Sequence, residues 1–377
     1  MKSIHEMGRK LVAQGFDVTV FTTNADGLQN LDVPLGVEVL IDGVKVHYFP
    51  VEWPRNYFRC PTLAHALQQR VSEFDIVHIN WLYVYSTLIA ARACHSQGVP
   101  YLLAPRGMLD PNAIALHGAL KKKLYLTLVE RSHLHNAAAV HFTSIGERDQ
   151  AIRSGWRIRP VVVPNGVDLW EYPLTQNSEL FPLLHPNLFG KRIILFLGRI
   201  NYIKGLNLLV KALPIIVRSI PDAHLVLAGP DDTGYVAEVE KWLIEENVLE
   251  NVTFTGMLLH QDKLTAFAGA DVFVAPSYLE SFGMAIVEAM ACSLPVVITD
   301  RVNICREIEQ AGAGVVVPCD PVRIAEALVG LLKDPARSRE MGRKGRRFVE
   351  QTFTWDAAAH LMSEVYQDIV LIGKGRK

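Results

Sequence analysis

Short apolar runs rich in β-branched residues alternate along the chain with longer stretches whose apolar residues recur every three or four positions. The runs at 17–24 (DVTVFTTN), 75–80 (DIVHIN), 100–105 (PYLLAP), 138–143 (AAVHFT) and 159–165 (RPVVVPN) predict strands in the first half. Those at 192–198 (RIILFLG), 224–229 (HLVLAG), 251–256 (NVTFTG), 271–277 (DVFVAPS), 295–300 (PVVITD) and 314–318 (GVVVP) predict a second series. Segments between them, such as GLNLLVKALPIIVRS, have the spacing of amphipathic helices. Strands apolar throughout and separated by helices are the pattern of parallel sheets covered on both faces. Residues 37–49 (VEVLIDGVKVHYF) depart from it: two alternating runs meet at Asp42-Gly43, which predicts a β-hairpin.

The two series are separated by a stretch with little periodicity that holds Pro173, Pro182 and Pro186. It divides the chain into an expected first domain at 1–170, a linker at 171–190 and a second domain at 191–354. Each has enough strands for its own Rossmann-like, doubly wound α/β sheet. The tail TWDAAAHLMSEVYQDIVLI predicts a last amphipathic helix with no strand after it. At the other end, Ser3 can cap a helix with apolar face Ile4, Met7, Leu11 and Val12, ended at Gly15, so a helix precedes the first strand. A length of 377 residues suits two cores better than one.

Lys and Arg total 38 against 39 Asp and Glu. That balance lacks the basic excess of a nucleic-acid binder. The five cysteines are scattered, without zinc-site spacing, as expected of reduced thiols in a cytoplasmic setting. No apolar run reaches membrane-spanning length, and the first residues have no signal-peptide core. The basic stretch ARSREMGRKGRRFVE reads as a solvated helix face.

In parallel α/β sheets, ligands bind where strands end and helices begin. Two such turns in the second half carry chemistry. In FLGRINYIKGLNLLVKAL, Arg199 and Lys204 lie between a strand end and a helix opened at Gly205. Two cations at a helix mouth suit a diphosphate, although two exposed surface cations would read the same way. In YLESFGMAIVEAMACSLPVV, Glu280 precedes a Phe282-Gly283 turn and Glu288 lies in the helix that follows. Gly283 lets backbone approach a ligand closely. Glu288 could accept vicinal hydroxyls of a sugar, or could simply complement the helix dipole.

These two turns together, with PNGVD (164–168), LAGP (227–230), VTFTG (252–256) and FTW (353–355) in order, resemble the donor-binding pattern of GT-B glycosyltransferases. They are most similar to family four, the group 1 transferases of bacterial polysaccharide and lipopolysaccharide synthesis. The resemblance implies a deep cleft between two Rossmann-like domains, a nucleotide-sugar donor (UDP-, GDP- or ADP-linked) and a saccharide or lipid-linked acceptor. It implies that Arg199 and Lys204 bind the donor diphosphate and that Glu288 holds the ribose. Glu280, with the backbone of Phe282, Gly283 and Met284, would meet the transferred sugar and the phosphates. It also implies retention by same-face attack, and a last helix (355–377) returning to the first domain. On the acceptor side, APRGMLDPNAIALHGALKKKLYLTLVE offers Arg106, Asp110 and His117, with Asn165 beside them in PNGVD; His117 is a candidate for facing the donor sugar. Lys121, Lys122 and Lys123 beside Leu120, Leu124 and Leu128 could form a membrane-surface helix or a solvated basic face.

No Asp-x-Asp occurs, so no metal–diphosphate clamp and no cofactor are expected; cations and a helix terminus can stabilise the leaving group instead. No G-x-G-x-x-G occurs either, which disfavours a nicotinamide enzyme. Relatives carry a strand and a glycine-rich loop before the helix at residue 3, so the first domain is expected to lack its first strand. Two other readings stay open at this point: a non-catalytic homologue that binds nucleotide sugar without turnover, and a sugar-nucleotide epimerase of the same architecture.

Overall fold

The computed structural model describes residues 2–115, 118–174 and 179–374. It divides into two compact units, Met1–Asn165 with Trp355–Lys377, and Gly166–Thr354.

The first unit contains β1 (Thr19–Thr23), a short ribbon of β2 (Ala25–Asp26) and β3 (Gln29–Asn30), β4 (Glu38–Ile41), β5 (Val44–Phe49), β6 (Val77–Asn80), β7 (Tyr101–Ala104), β8 (Ala139–Phe142) and β9 (Pro160–Val162). Every expected strand is present; the β2–β3 ribbon is the addition. The main strands fall into two sheets, β1–β5–β4 and the all-parallel β6–β7–β8–β9. The β4–β5 hairpin turns on Asp42-Gly43, both at positive φ (48° and 82°), the pairing a two-residue I′ turn requires. The first helix spans Lys2–Ala13, so Ser3 lies inside its first turn and does not cap it. Met7 and Leu11 pack into one cluster with Trp355, Ala358, Ala359 and Met362 of the last helix, Trp355–Lys374. Lys10 donates to the Asp356 carboxylate at 2.9 Å across that contact.

Beneath this cluster runs a buried polar chain. The Tyr366 hydroxyl meets His78 Nδ1 at 2.7 Å, His78 Nε2 meets His141 Nδ1 at 3.2 Å, and His141 Nε2 meets the Val163 carbonyl at 2.8 Å. A carbonyl can only accept, so His141 Nε2 carries a proton and its Nδ1 accepts from His78 Nε2–H. His78 Nδ1 then accepts from Tyr366. The chain closes with both imidazoles neutral. Burial holds both in that state: the His141 pKa is pushed down to about 3, with nearby Arg106 adding to the effect, and His78 is held well below its usual range by burial and its neighbour His141.

The second unit builds one sheet from β10 (Arg192–Leu197), β11 (Ala223–Ala228), β12 (Val252–Gly256), β13 (Val272–Ala275), β14 (Val296–Thr299) and β15 (Gly314–Val317). Its order is β12–β11–β10–β13–β14–β15, all parallel. The chain steps outward from β10 to β12, then returns to the other side of β10 for β13. This is the doubly wound arrangement, with its switch point between β10 and β13. Alternation along β10 serves both faces: Ile193 and Leu195 enter one core, Ile194 and Phe196 the other. Tyr172, Phe181 and Leu188, from the stretch expected as a linker, are buried in the first of these cores. Among the described residues, no helix is long and apolar enough to cross a membrane.

The neutral histidines make stability depend on pH. The unfolded chain binds protons at these imidazoles below about pH 6.5, whereas the folded chain resists until far lower. Their contribution is complete above that pH and is lost as the pH falls. Between pH 7.5 and 5.0, a urea titration should lose about 2 kcal/mol through His141 alone. His141→Gln should remove that part of the slope; an equal slope in the variant would show that the imidazole is not held neutral.

Candidate active site

At the β10–β13 switch point, two strand-end loops are joined backbone to backbone. The Tyr278 amide donates to the Ile203 carbonyl at 2.8 Å, and the Tyr202 and Tyr278 rings stack with centroids 5.4 Å apart. Asn207 Nδ2 donates to the Tyr278 hydroxyl at 2.9 Å. Gly205 opens the helix Leu206–Ser219 in the left-handed region (φ 68°), and a Cβ there would lie 2.0 Å from the Pro276 carbonyl oxygen. Only glycine permits this approach. Lys204 lies over Gly198, its Cε 3.8 Å from where a Cβ would stand, and its ammonium donates to Glu280. The cation and the acid singled out in the sequence are therefore ion-paired to each other. Arg199, at the end of β10, is exposed and meets no carboxylate among the described residues.

The second acid sits differently. Gly283 (φ 81°) opens the helix Met284–Ala291 with no side-chain cap; the Ile286 amide turns back to the Gly283 carbonyl at 2.9 Å, and the amides before it face the helix mouth. The Phe282 side chain is buried against Phe353, which anchors the turn and leaves only its backbone at the helix mouth. Glu280 is pinned from the far side: its carbonyl accepts the Asn303 amide at 2.9 Å. Glu288, one turn into the helix and 9 % exposed, accepts from the Tyr172 hydroxyl (2.8 Å) and from Lys263 Nζ (2.9 Å), both through Oε1. Lys263 also stands over the Tyr172 ring, 5.5 Å from its centroid. Burial and this carboxylate raise the Tyr172 pKa, and they push the Cys292 thiol up to about 12. Arg346 donates to the carbonyls of Tyr172 (2.7 Å) and Ala291 (2.5 Å), which locks the tyrosine to the end of the same helix. The other carboxylate oxygen of Glu288 has no partner among the described residues.

In the first unit, the polar residues likewise gather at the C-terminal strand ends. Arg106, after β7, donates through Nε and Nη2 to Asn80 Oδ1 (3.0 and 2.8 Å) and through Nη1 to Asn165 Oδ1 (3.2 Å). The buried Glu147 accepts the amides of Gly107 (2.5 Å) and Thr143 (2.8 Å) and the Thr143 hydroxyl (2.9 Å), which ties the loop after β7 to the end of β8. Burial pushes its carboxyl up, and those donors with Arg106 pull it back. Asp110 is 2 % exposed; its Oδ1 accepts the Asn112 amide at 2.7 Å, while Oδ2 has no partner among the described residues. His117 lies outside the described residues. Among those described, no three His, Cys, Asp or Glu side chains gather as a metal site would require.

Residues 186–348 match the model of the glycosyl transferases group 1, and residues 2–166 that of a glycosyl transferase 4-like domain. The chain is 32 % identical over 305 residues to an alpha-maltose-1-phosphate synthase of Mycolicibacterium smegmatis, covering 76 % of this chain and 77 % of that protein. It is 30 % identical to a GDP-mannose-dependent monoacylated alpha-(1-6)-phosphatidylinositol monomannoside mannosyltransferase of Corynebacterium glutamicum, covering 92 % and 88 %. The chain belongs to the group 1 glycosyl transferases. The structure of Anabaena HepE in complex with UDP shares its GT-B fold with a TM-score of 0.75 at 19 % identity, covering 96 % of each chain.

In this glycosyltransferase, the switch point brings Arg199, Lys204, Glu280, Gly283, Met284 and Glu288 onto two adjoining strand-end loops and one helix. Reading the sequence missed Lys263 and Tyr172, which hold Glu288. A lysine one turn into a predicted helix carries no mark of a partner 25 residues away.

Gly205→Ala tests whether loop contact sets the cation. The added methyl would collide with the Pro276 carbonyl at a φ that alanine disfavours, which should cost about 1–3 kcal/mol. The transferase should melt lower and lose nucleotide affinity more than Gly234→Ala, a left-handed glycine with open space around its missing Cβ. Equal effects of the two changes would dismiss the contact.

Proposed function

We propose that the second unit binds a nucleotide-sugar donor and that the enzyme passes the sugar to a saccharide or lipid-linked acceptor in cell-surface polysaccharide synthesis. The observation that carries the reading is the switch-point arrangement: two cations, an uncapped helix mouth and a carboxylate with one oxygen free. The ammonium of Lys204 has three donors and spends one on Glu280, so two can turn to phosphate oxygens. Arg199 and the amides at 283–285 add positive potential where the leaving diphosphate develops charge. The free oxygen of Glu288 accepts a ribose hydroxyl, while Lys263 and Tyr172 hold the acid in orientation through its other oxygen. Glu280 meets the transferred sugar as Lys204 turns to the phosphate. The HepE complex with UDP and the GDP-mannose dependence in the mannosyltransferase's name support a nucleotide donor of this kind. Transfer proceeds with retention, by attack from the face the diphosphate leaves, without a metal.

Calorimetric titration with UDP, GDP and ADP tests the donor reading. One of them should bind, and Glu288→Ala should weaken it by on the order of 1–3 kcal/mol. Arg199→Ala and Lys204→Ala should each lower turnover by roughly 10²–10³. EDTA should leave turnover unchanged. Activity lost to EDTA and restored by Mn²⁺ would reject the metal-free scheme; unaltered affinity in the Glu288 variant would reject its ribose role.

On the acceptor side, Leu120, Leu124 and Leu128 follow a four-residue spacing and stay 82, 58 and 71 % exposed, with Lys121 and Lys123 exposed among them. An apolar stripe edged by cations suits the surface of an anionic bilayer, which supports a peripheral contact with the inner face of a membrane. Vesicles containing anionic phosphatidylglycerol should co-sediment the protein, and Leu124→Glu with Leu128→Glu should abolish this. Equal sedimentation of the double variant would exclude the stripe.

A further inference from the structure

Three non-glycine residues of the first unit stand in the left-handed region at the ends of two adjacent strands. Trp81 (φ 70°) and Tyr83 (φ 62°) follow β6, and Arg106 (φ 53°) follows β7. Bulky side chains are strained there, and such strain persists only where the surroundings hold it. Two of the three are accounted for by what they hold. The Arg106 guanidinium bridges Asn80 and Asn165. The Tyr83 amide donates to the buried Glu130 carboxylate (2.9 Å), its hydroxyl points to the Met108 carbonyl (3.4 Å), and its ring lies 6.0 Å from that of Tyr125.

Trp81 has no such account. Its backbone is fixed on both sides: the amide donates to the Ala104 carbonyl and the carbonyl accepts from Thr87 Oγ1, each at 2.9 Å. Its indole makes no hydrogen bond and no ring contact with any described residue, and the residue stays 37 % exposed. The fold keeps a large aromatic ring in a strained backbone, partly exposed and in no hydrogen bond or ring contact among the described residues.

We propose that the Trp81 indole is a stacking platform for a sugar ring, and that the loops at 80–84 and 105–110 form a saccharide subsite of the first unit. This rests on the transferase reading and deepens its acceptor side. The two loops make one surface, joined by the Trp81–Ala104 bond, the Arg106–Asn80 pair and the contact of the Leu82 amide with Met108 Sδ (3.2 Å). A pyranose has an apolar C–H face and a rim of hydroxyls, so its site needs an aromatic plane with donors and acceptors beside it. Arg106 uses three of its five N–H donors on the two asparagines. The Asp110 Oδ2, buried without a partner among the described residues, is an acceptor in the same loop. An acyl chain would leave these polar groups unpaired.

The experiment uses the full chain and saturation-transfer NMR with methyl α-D-glucoside, methyl α-D-mannoside, methyl α-D-galactoside and their α-linked disaccharides, with UDP as a separate titration. At least one sugar should show transfer to its ring protons. Trp81→Ala and Trp81→Gly should cut that binding about tenfold or more, and Trp81→Phe should keep most of it. All three should bind UDP as the wild type does. Trp81→Gly should melt no lower than Trp81→Ala, since glycine carries no strain at this φ. Absence of sugar binding in the wild type, sugar binding unchanged in Trp81→Ala, or loss of UDP and sugar together in a folded Trp81→Ala would each overturn the proposal. Sugar binding with no nucleotide binding would sink the donor assignment and leave this one standing.

Discussion

The arrangement at the switch point depends on one close approach, the backbone of Gly205 against the carbonyl of Pro276. These residues are far apart in sequence, and the return of the chain across β10 makes their strands neighbours. Because glycine puts no side chain in the way, the two loops bond backbone to backbone, from the Tyr278 amide to the Ile203 carbonyl. That bond fixes where Lys204 leaves one loop and Glu280 leaves the other. A wider gap would separate the charges and expose both to water, where an ion pair contributes little.

Glu280 and Glu288 show two ways of holding a carboxylate. Glu280 is paired with the cation of a neighbouring loop. Glu288 lies in an apolar helix, where a lone charge would be costly. A lysine and a tyrosine satisfy one of its oxygens, and the other has no partner among the described residues. The first unit solves the same problem with neutral partners: Arg106 is held by two amide oxygens, and Glu147 by backbone and hydroxyl donors. In each case, part of a buried polar group's bonding capacity is spent on orientation and part is kept.

Strands were legible in the sequence because their burial leaves an unbroken apolar run, as in Leu102, Val140 and Val274. The hairpin was legible because Asp42-Gly43 is a turn demanded by backbone twist. The paired acids were legible from spacing along one loop and one helix. What escaped was every feature that depends on the side-chain environment across elements. His78 and His141 sit in runs that read as plain strands, and only the fold joins them to Tyr366. Trp81 reads as one more apolar residue after a strand, since no local pattern announces a left-handed tryptophan. Ser3 misled for the opposite reason: a residue type favoured at caps also fits a first helical turn.

The divided sheet of the first unit sets how this molecule comes apart. One continuous six-stranded ladder has two free edges; the separate β1–β5–β4 and β6–β7–β8–β9 ladders have four among the described residues. Cooperativity in a sheet travels through shared hydrogen bonds, so two ladders can fray as two events where one must break as a whole. The second unit, with one ladder, has no such division. The first unit behaves as a pair of smaller foldons, each with a strand edge open to pairing with another chain whenever it loosens.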